Sequence, residues 1–188
     1  MSRSLDPAGA EDALIRAALD GDDARAEEIL ERIPEVRRDS LACALLVADP
    51  GAADRLNSAS VNTAVDPTGW PPLLLLCSSR YRTGDAAVAA ARLDLASRLL
   101  ELDADPNAGT REAETVRGYR TVLGAAAGRA RTAPLVRMLL AAGADPADGP
   151  TLYEGCAMWE AVRLRDRDSL EALLAADPPQ WHVCHALP

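Results

Sequence analysis

The chain has 188 residues, of which 48% are hydrophobic but only 3% aromatic, and its formal net charge is −9. This acidity argues against nucleic-acid binding as a main role, because a phosphate backbone needs a basic surface. All 20 basic residues are arginines, which excludes chemistry that needs a lysine amine and is typical of a GC-rich, bacterial genome. We expect a neutral or basic partner.

The cysteines indicate a reducing environment. Each of the four lies singly in an apolar segment, as buried thiols do, without the paired spacing of a disulfide framework. The N-terminal segment lacks the apolar stretch of a signal peptide, and no apolar run reaches the length of a membrane span. We therefore expect a cytoplasmic protein that does not enter a membrane. The four cysteines are Cys43, Cys77, Cys156 and Cys184.

The first 66 residues carry helix caps and helix stops at short intervals. Asp and Ser side chains cap helix N-termini, whereas Gly and Pro end helices, so this region is predicted to form two short helix pairs. The last of these helices begins at Asp49-Pro50. The caps and stops in chain order are Asp6, Gly21, Asp22, Pro34, Ser40 and Asp49.

The central segment begins at Gly69 and predicts a short helix over 73–77, followed by a longer one over 86–102 that Asp85 caps. The short helix is apolar nearly all round and therefore needs cover on more than one side. One helix pair cannot supply that cover. Near-copies of the short and the long helix follow at 121–128 and 135–142, which predicts helix pairs stacked side by side.

The ends of the two long helices are also repeated. Leu99-Leu100 leads to Asp103-Ala104-Asp105-Pro106-Asn107, and Leu139-Leu140 leads to Gly143-Ala144-Asp145-Pro146, about 40 residues later. In these residues the chain resembles the ankyrin repeat family, most clearly from Gly69 to Asp148. It departs from the family at Pro71-Pro72-Leu73-Leu74, where the motif has Thr-Pro-Leu-His, and at 121–124, which also lacks the His.

The resemblance implies an all-α fold, an ankyrin-like solenoid of about five helix-turn-helix repeats with atypical capping repeats. The repeats are expected at 8–38, 39–66, 69–108, 118–148 and 149–180, all in one domain, and the apolar segment 181–188 is expected to cap the C-terminal end. Two insertions depart from an ordinary repeat, at 78–85 and 108–118. Extra residues in repeat proteins tend to gather on one face, often the binding face.

Ankyrin repeats mostly bind other proteins, so the resemblance implies an interaction module that binds an unidentified protein through its concave face and hairpin tips. Aromatic and arginine side chains dominate recognition surfaces, and several lie beside the predicted turns. Structural packing of the aromatic residues is the alternative reading. The candidate binding residues are Trp70, Arg80, Tyr81, Tyr119, Arg120, Tyr153 and Trp159.

A cofactor-free enzyme acting on a small molecule is the alternative function. Its site would lie in the same groove, roofed by the two insertions, and would use acid–base dehydration, isomerisation, cyclisation or addition. Tyr81 or Glu154 would transfer the proton, and Arg80 or Arg120 would hold the developing oxyanion; Glu160 is a further polar neighbour. Ordinary solvated positions remain open for all of them.

No cofactor is expected, because the sequence contains no phosphate loop, nucleophile elbow or dinucleotide-binding glycine motif. The two histidines, His182 and His185, are three residues apart in the tail, but no third ligand is evident nearby. We expect no metal site.

Overall fold

The computed structural model describes residues 7–111, 119–147 and 156–178. In these ranges the protein is mostly helical, as predicted, with one two-stranded antiparallel sheet. The α-helices are α1 (Pro7–Asp20), α2 (Asp23–Arg32), α3 (Glu35–Asp39), α4 (Leu41–Leu46), α5 (Pro72–Ser78), α6 (Ala86–Glu101), α7 (Val122–Ala125), α8 (Ala133–Ala141), α9 (Ala157–Leu164) and α10 (Arg167–Ala175). A 3₁₀ helix (Pro50–Arg55) follows α4, and a π-helical turn (Ala126–Ala130) follows α7. The strands are β1 (Gly109–Arg111) and β2 (Tyr119–Thr121).

Several helices begin at the predicted caps. The side chains of Asp22, Ser40 and Asp85 each accept a hydrogen bond from a backbone N–H two or three residues further along. Gly21 follows α1 with a φ of +78°, the left-handed conformation that glycine adopts without strain. The predicted cap at Asp6 lies outside the described residues.

The core is centred on α5, whose seven residues are all buried. This helix contacts α4, α6 and α7, so the prediction that it needs cover on more than one side is confirmed. Cys43, Cys77 and Cys156 are buried free thiols, also as predicted, whereas Cys184 lies outside the described residues.

The helices contact one another in two series that follow chain order. In the first series α4 lies between α1 and α5, and α5 is followed by α7 and then α9. In the second series the 3₁₀ helix contacts α6, α6 contacts α8, and α8 contacts α10. Each helix of the second series also contacts one helix of the first: the 3₁₀ helix contacts α4, α6 contacts α5, α8 contacts α7, and α10 contacts α9.

Two asparagines make the same contact at successive places in the chain. Asn62 donates to the C=O of Asp103, and its Oδ1 accepts from the N–H of Asp105, both at 2.8 Å. Asn107 does the same with Gly143 and Asp145, at 3.0 and 2.7 Å. Each asparagine therefore bridges its own turn to the turn that follows the next long helix, which is α6 for Asn62 and α8 for Asn107. These contacts were not predicted from the sequence.

The predicted loop at 108–118 begins as a strand, which the sequence analysis missed. β1 and β2 pair with Thr110 opposite Arg120, and residues 112–118 lie outside the described part. Thr110 in β1 and Thr121 in β2 are β-branched, and such residues favour the extended backbone of a strand. A smaller antiparallel bridge joins Val65 to Trp70 just before α5.

Candidate functional site

Five of the predicted site residues fall into two groups at opposite ends of α5: Trp70, Tyr119 and Arg120 at one end, and Arg80 and Tyr81 at the other. Trp70 lies two residues before the helix and Tyr81 three residues after it. The helix itself has seven residues and is about 10 Å long. We call residues 65–70, 109–111 and 119–121 the hairpin end, and residues 79–85 the loop end. The two insertions therefore emerge at different ends of the buried helix.

At the hairpin end Arg120 covers the indole of Trp70. The guanidinium carbon of Arg120 lies 4.9 Å from the ring centroid, within the range of a cation–π contact. The Trp70 side chain is largely buried, and its backbone C=O accepts from the N–H of Val65 at 2.9 Å. Arg120 is half-buried on β2, so it presents the more accessible part of this pair.

Of the other predicted aromatic residues, Tyr119 and Trp159 lie in described elements. Tyr119 belongs to β2, opposite Arg111, but its side chain lies outside the described part. Tyr153 and Glu154 lie outside the described residues, as do His182 and His185. Trp159 is half-buried in α9 and packs against the core.

Tyr81 at the loop end is buried, with 6% of its surface exposed. Its hydroxyl donates to Glu27 Oε1 at 2.5 Å. Burial, followed by the contact with the Glu27 carboxylate, raises the pKa of Tyr81 to about 12. The phenol is therefore neutral near pH 7 and unsuited to act as a general base there.

The loop end is tied to the first two helices of the chain. Arg80 itself is exposed, but its backbone N–H donates to the C=O of Ala18 at 2.8 Å. The Arg82 N–H donates to Asp23 at 2.8 Å, and the Arg82 guanidinium lies 3.6 Å from Glu27 and 2.6 Å from Asp85. These contacts hold the insertion against α1 and α2.

A further link to α1 comes from the π-helical turn. Arg129 Nη1 donates to the C=O of Leu19 at 3.0 Å, across 110 sequence positions. The C-terminal end of α1 therefore meets both the loop end and the segment after α7. Positive charge at this place also suits the negative end of the helix dipole.

Arg92 is a buried cation that the sequence analysis missed. Its side chain is fully buried in α6, and Nη2 donates to the C=O of Tyr81 at 3.0 Å and to Ser79 Oγ at 3.5 Å. Its Nε and Nη1 have no partner among the described residues, and burial lowers the pKa of Arg92. The sequence pattern could have predicted this burial, because Arg92 shares a helical face with Leu95, Ala96 and Leu99.

Glu160, which the sequence suggested as a polar neighbour, pairs with its own helix. Its side chain is only 15% exposed and meets Arg163 Nη2 at 2.5 Å. It also lies against Gly128, where an added Cβ would fall 2.8 Å from three atoms of Glu160. A glycine at this position gives the carboxylate room beside the π-helical turn.

No model of a protein family matches this chain, and no curated protein matches it either. None of the helices in the described ranges is long and apolar enough to cross a membrane. Over the same ranges, no group of three or more His, Cys, Asp or Glu side chains is arranged to hold a metal ion. The geometry of the two ends of α5 is therefore the basis for any functional interpretation.

Proposed function

We propose that the chain is a protein–protein interaction module built as an ankyrin-like solenoid, and that its partner binds at the hairpin end. The observation that carries the proposal is the repeated asparagine contact, because Asn62 and Asn107 tie successive turns to one another in the same way. Regular spacing of turns creates an extended face, which repeat proteins use for binding.

The hairpin end supplies suitable recognition chemistry on that face. Arg120 lies over Trp70, a pairing that holds the guanidinium in place before a partner arrives. Arginine and aromatic residues make the largest contributions to protein interfaces. Tyr119, Tyr153 and Trp159 remain predicted contacts of the same face, whereas Arg80 and Tyr81 belong to the loop end.

The proposal is tested by site-specific photo-crosslinking in a lysate of the cells that encode the chain. Thr110, opposite Arg120 in the sheet, is replaced by p-benzoylphenylalanine, and exposed Arg137 on α8 is replaced in the same way as the control. We expect a discrete crosslinked protein from position 110 that the additional change Arg120→Ala removes. Equal products from positions 110 and 137, or none from 110, would contradict the proposal.

The enzyme alternative has less support from the geometry. Tyr81 donates to Glu27 and keeps its proton near pH 7, and Arg120 lies at the other end of α5. A catalytic groove covered by both insertions would require Tyr81 and Arg120 at the same end of α5. A thermal-shift screen against small metabolites, repeated with Arg120→Ala, distinguishes the two functions.

A further inference from the structure

An open cleft of about 520 Å³ lies beside the 3₁₀ helix, on the side of α3. Its volume falls within the range of about 300–1,000 Å³ that is usual for small-molecule sites. Neither Trp70 nor Arg120 lines it. The cleft is therefore separate from the proposed protein-binding face, and what it binds is a separate question.

The cleft lies beside a short helix that contacts α4 and contains the small residues Gly51, Ala52 and Ala53. The 3₁₀ helix has six residues, whereas α6, its neighbour in the second series, has 16. Ala44, Gly51 and Ala52 line the cleft and fill little volume. The space that a longer helix with larger side chains would occupy is left open.

Arginines from two helices line this cleft. Arg37 and Arg38 come from α3, and Arg55 comes from the end of the 3₁₀ helix. They share the lining with two carboxylates, Glu35 and Asp49. The lining therefore has one more positive than negative group, in a chain whose net charge is −9.

One of the two carboxylates is already engaged. Asp49 Oδ1 accepts from the N–H of Gly51 at 2.8 Å, and Oδ2 lies 3.0 Å from Arg37 Nε. Arg37 uses only this one nitrogen in its contact, and its side chain is 52% exposed. Its two terminal NH₂ groups can therefore donate in parallel to two oxygens of a ligand.

Arg55 makes one weak hydrogen bond. Arg55 Nη2 lies 3.5 Å from the C=O of Asp39, at the limit of a hydrogen bond. Arg38 meets the carboxylate of Asp39 at 3.1 Å and is therefore partly neutralised. Arg37 on α3 and Arg55 on the 3₁₀ helix remain as the guanidinium groups available to an incoming anion, with exposed Glu35 also in the lining.

We propose that this cleft binds a small organic oxyanion, a phosphate monoester or a polycarboxylate, between Arg37 and Arg55. A guanidinium group fits the oxygens of phosphate and carboxylate in a bidentate manner, which a single ammonium group cannot do. Exposed Pro34 in the lining offers an apolar contact for the organic part of the ligand. This site does not depend on the proposed protein partner.

Isothermal titration calorimetry of the full chain tests the proposal with three probes: phenyl phosphate, citrate and N-acetyl-tetraglutamate. We expect saturable binding of phenyl phosphate or citrate, and the preferred probe identifies which oxyanion the site takes. Amide resonances of Arg37, Ala44, Gly51 and Arg55 should shift in the titration. Tighter binding of the peptide than of both small probes, or no saturable binding of either small probe, would overturn the proposal.

Variants localise the site. Arg37→Gln and Arg55→Gln should each weaken binding of the small probe by about tenfold, since each removes a charge-assisted hydrogen-bonding group. Arg137→Gln, on an exposed face of α8, is the matched control and should bind as the parent does. Unfolding midpoints establish that all three variants are folded. Folded Arg37→Gln and Arg55→Gln variants that bind like the parent would overturn the assignment.

Discussion

The hairpin end and the loop end of α5 hold their surroundings by different means. Next to the hairpin end, Asn62 and Asn107 each bridge their own turn to a turn 41 and 36 residues later, respectively, so one kind of contact recurs along the chain. At the loop end, Tyr81 and Arg82 reach back to α2, and each makes a contact that occurs once. The asparagine contacts thus recur over spans of 41 and 36 residues, whereas those of Tyr81 and Arg82 occur once each and span 54 and 59 residues.

The largest expected effect is at the loop end. Tyr81→Ala should lower the free energy of unfolding by about 3–5 kcal/mol, because a buried aromatic ring is lost and a cavity remains. Tyr81→Phe, which keeps the ring and removes the hydrogen bond to Glu27, should cost about 1 kcal/mol. Urea denaturation near pH 7 measures both. A cost for Tyr81→Ala no larger than that for Tyr81→Phe would mean that this insertion is not packed as described.

Alkaline pH provides a second test of the same end. The pKa of Tyr81 is raised from 10 to about 12 in the folded protein, so the unfolded chain loses the phenolic proton first. The contribution of Tyr81 to stability is therefore complete below pH 10 and is lost as the pH rises toward 12.

At pH 11 we expect the stability difference between the parent and Tyr81→Phe to be roughly 1 kcal/mol smaller than at pH 8, so that little of it remains. Comparing the two proteins cancels the titration of the other tyrosines. Urea denaturation at both pH values gives the result, and a difference that does not depend on pH would show that the phenol is solvated.

The asparagines test whether the hairpin end is truly repetitive. Asn62→Ala and Asn107→Ala should each lower stability by about 1 kcal/mol, since each removes two exposed hydrogen bonds. Equal costs are expected because the contacts are equivalent. Ser58→Ala, at an exposed position in the preceding turn, is the control and should have almost no effect. Clearly unequal costs for the two asparagines would show that the turns are not equivalent.

The smallest expected effect concerns Arg120. Arg120→Gln should lower stability by about 0.5–1 kcal/mol through loss of the cation–π contact with Trp70, and Arg120→Lys should recover part of it. Chemical denaturation of the three proteins measures the series. If Arg120→Lys costs more than Arg120→Gln, charge over the indole is not what stabilises this pair.

Much of the helical structure could be predicted from residues that act locally. Asp22 and Asp85 cap helices because a short carboxylate can reach the free N–H groups at the helix start. The all-round apolar character of α5 likewise determines its burial. Such features depend only on a few neighbouring residues, and they remain recognisable without a template.

The candidate site was harder to predict because it depends on long-range contacts. A solvated position remained open for Tyr81, but the residue is buried and donates to Glu27, on a helix 54 positions earlier. The interpretation of Arg120 as a groove residue could not include Trp70 beneath it, 50 positions away in the sequence. The asparagine contacts were hidden because Asn62 is not preceded by the Asp-Pro pair that precedes Asn107.

The links from α1 and α2 to the loop end bear on how the protein loses its structure. In an ideal linear array each module interacts only with the adjacent ones, so the ends can fray independently. Here Tyr81, Arg82 and Arg129 join the beginning of the chain to its middle. Deleting the first two helices should therefore disrupt the centre as well, and melting should occur in a single cooperative transition rather than progressively from the N-terminus.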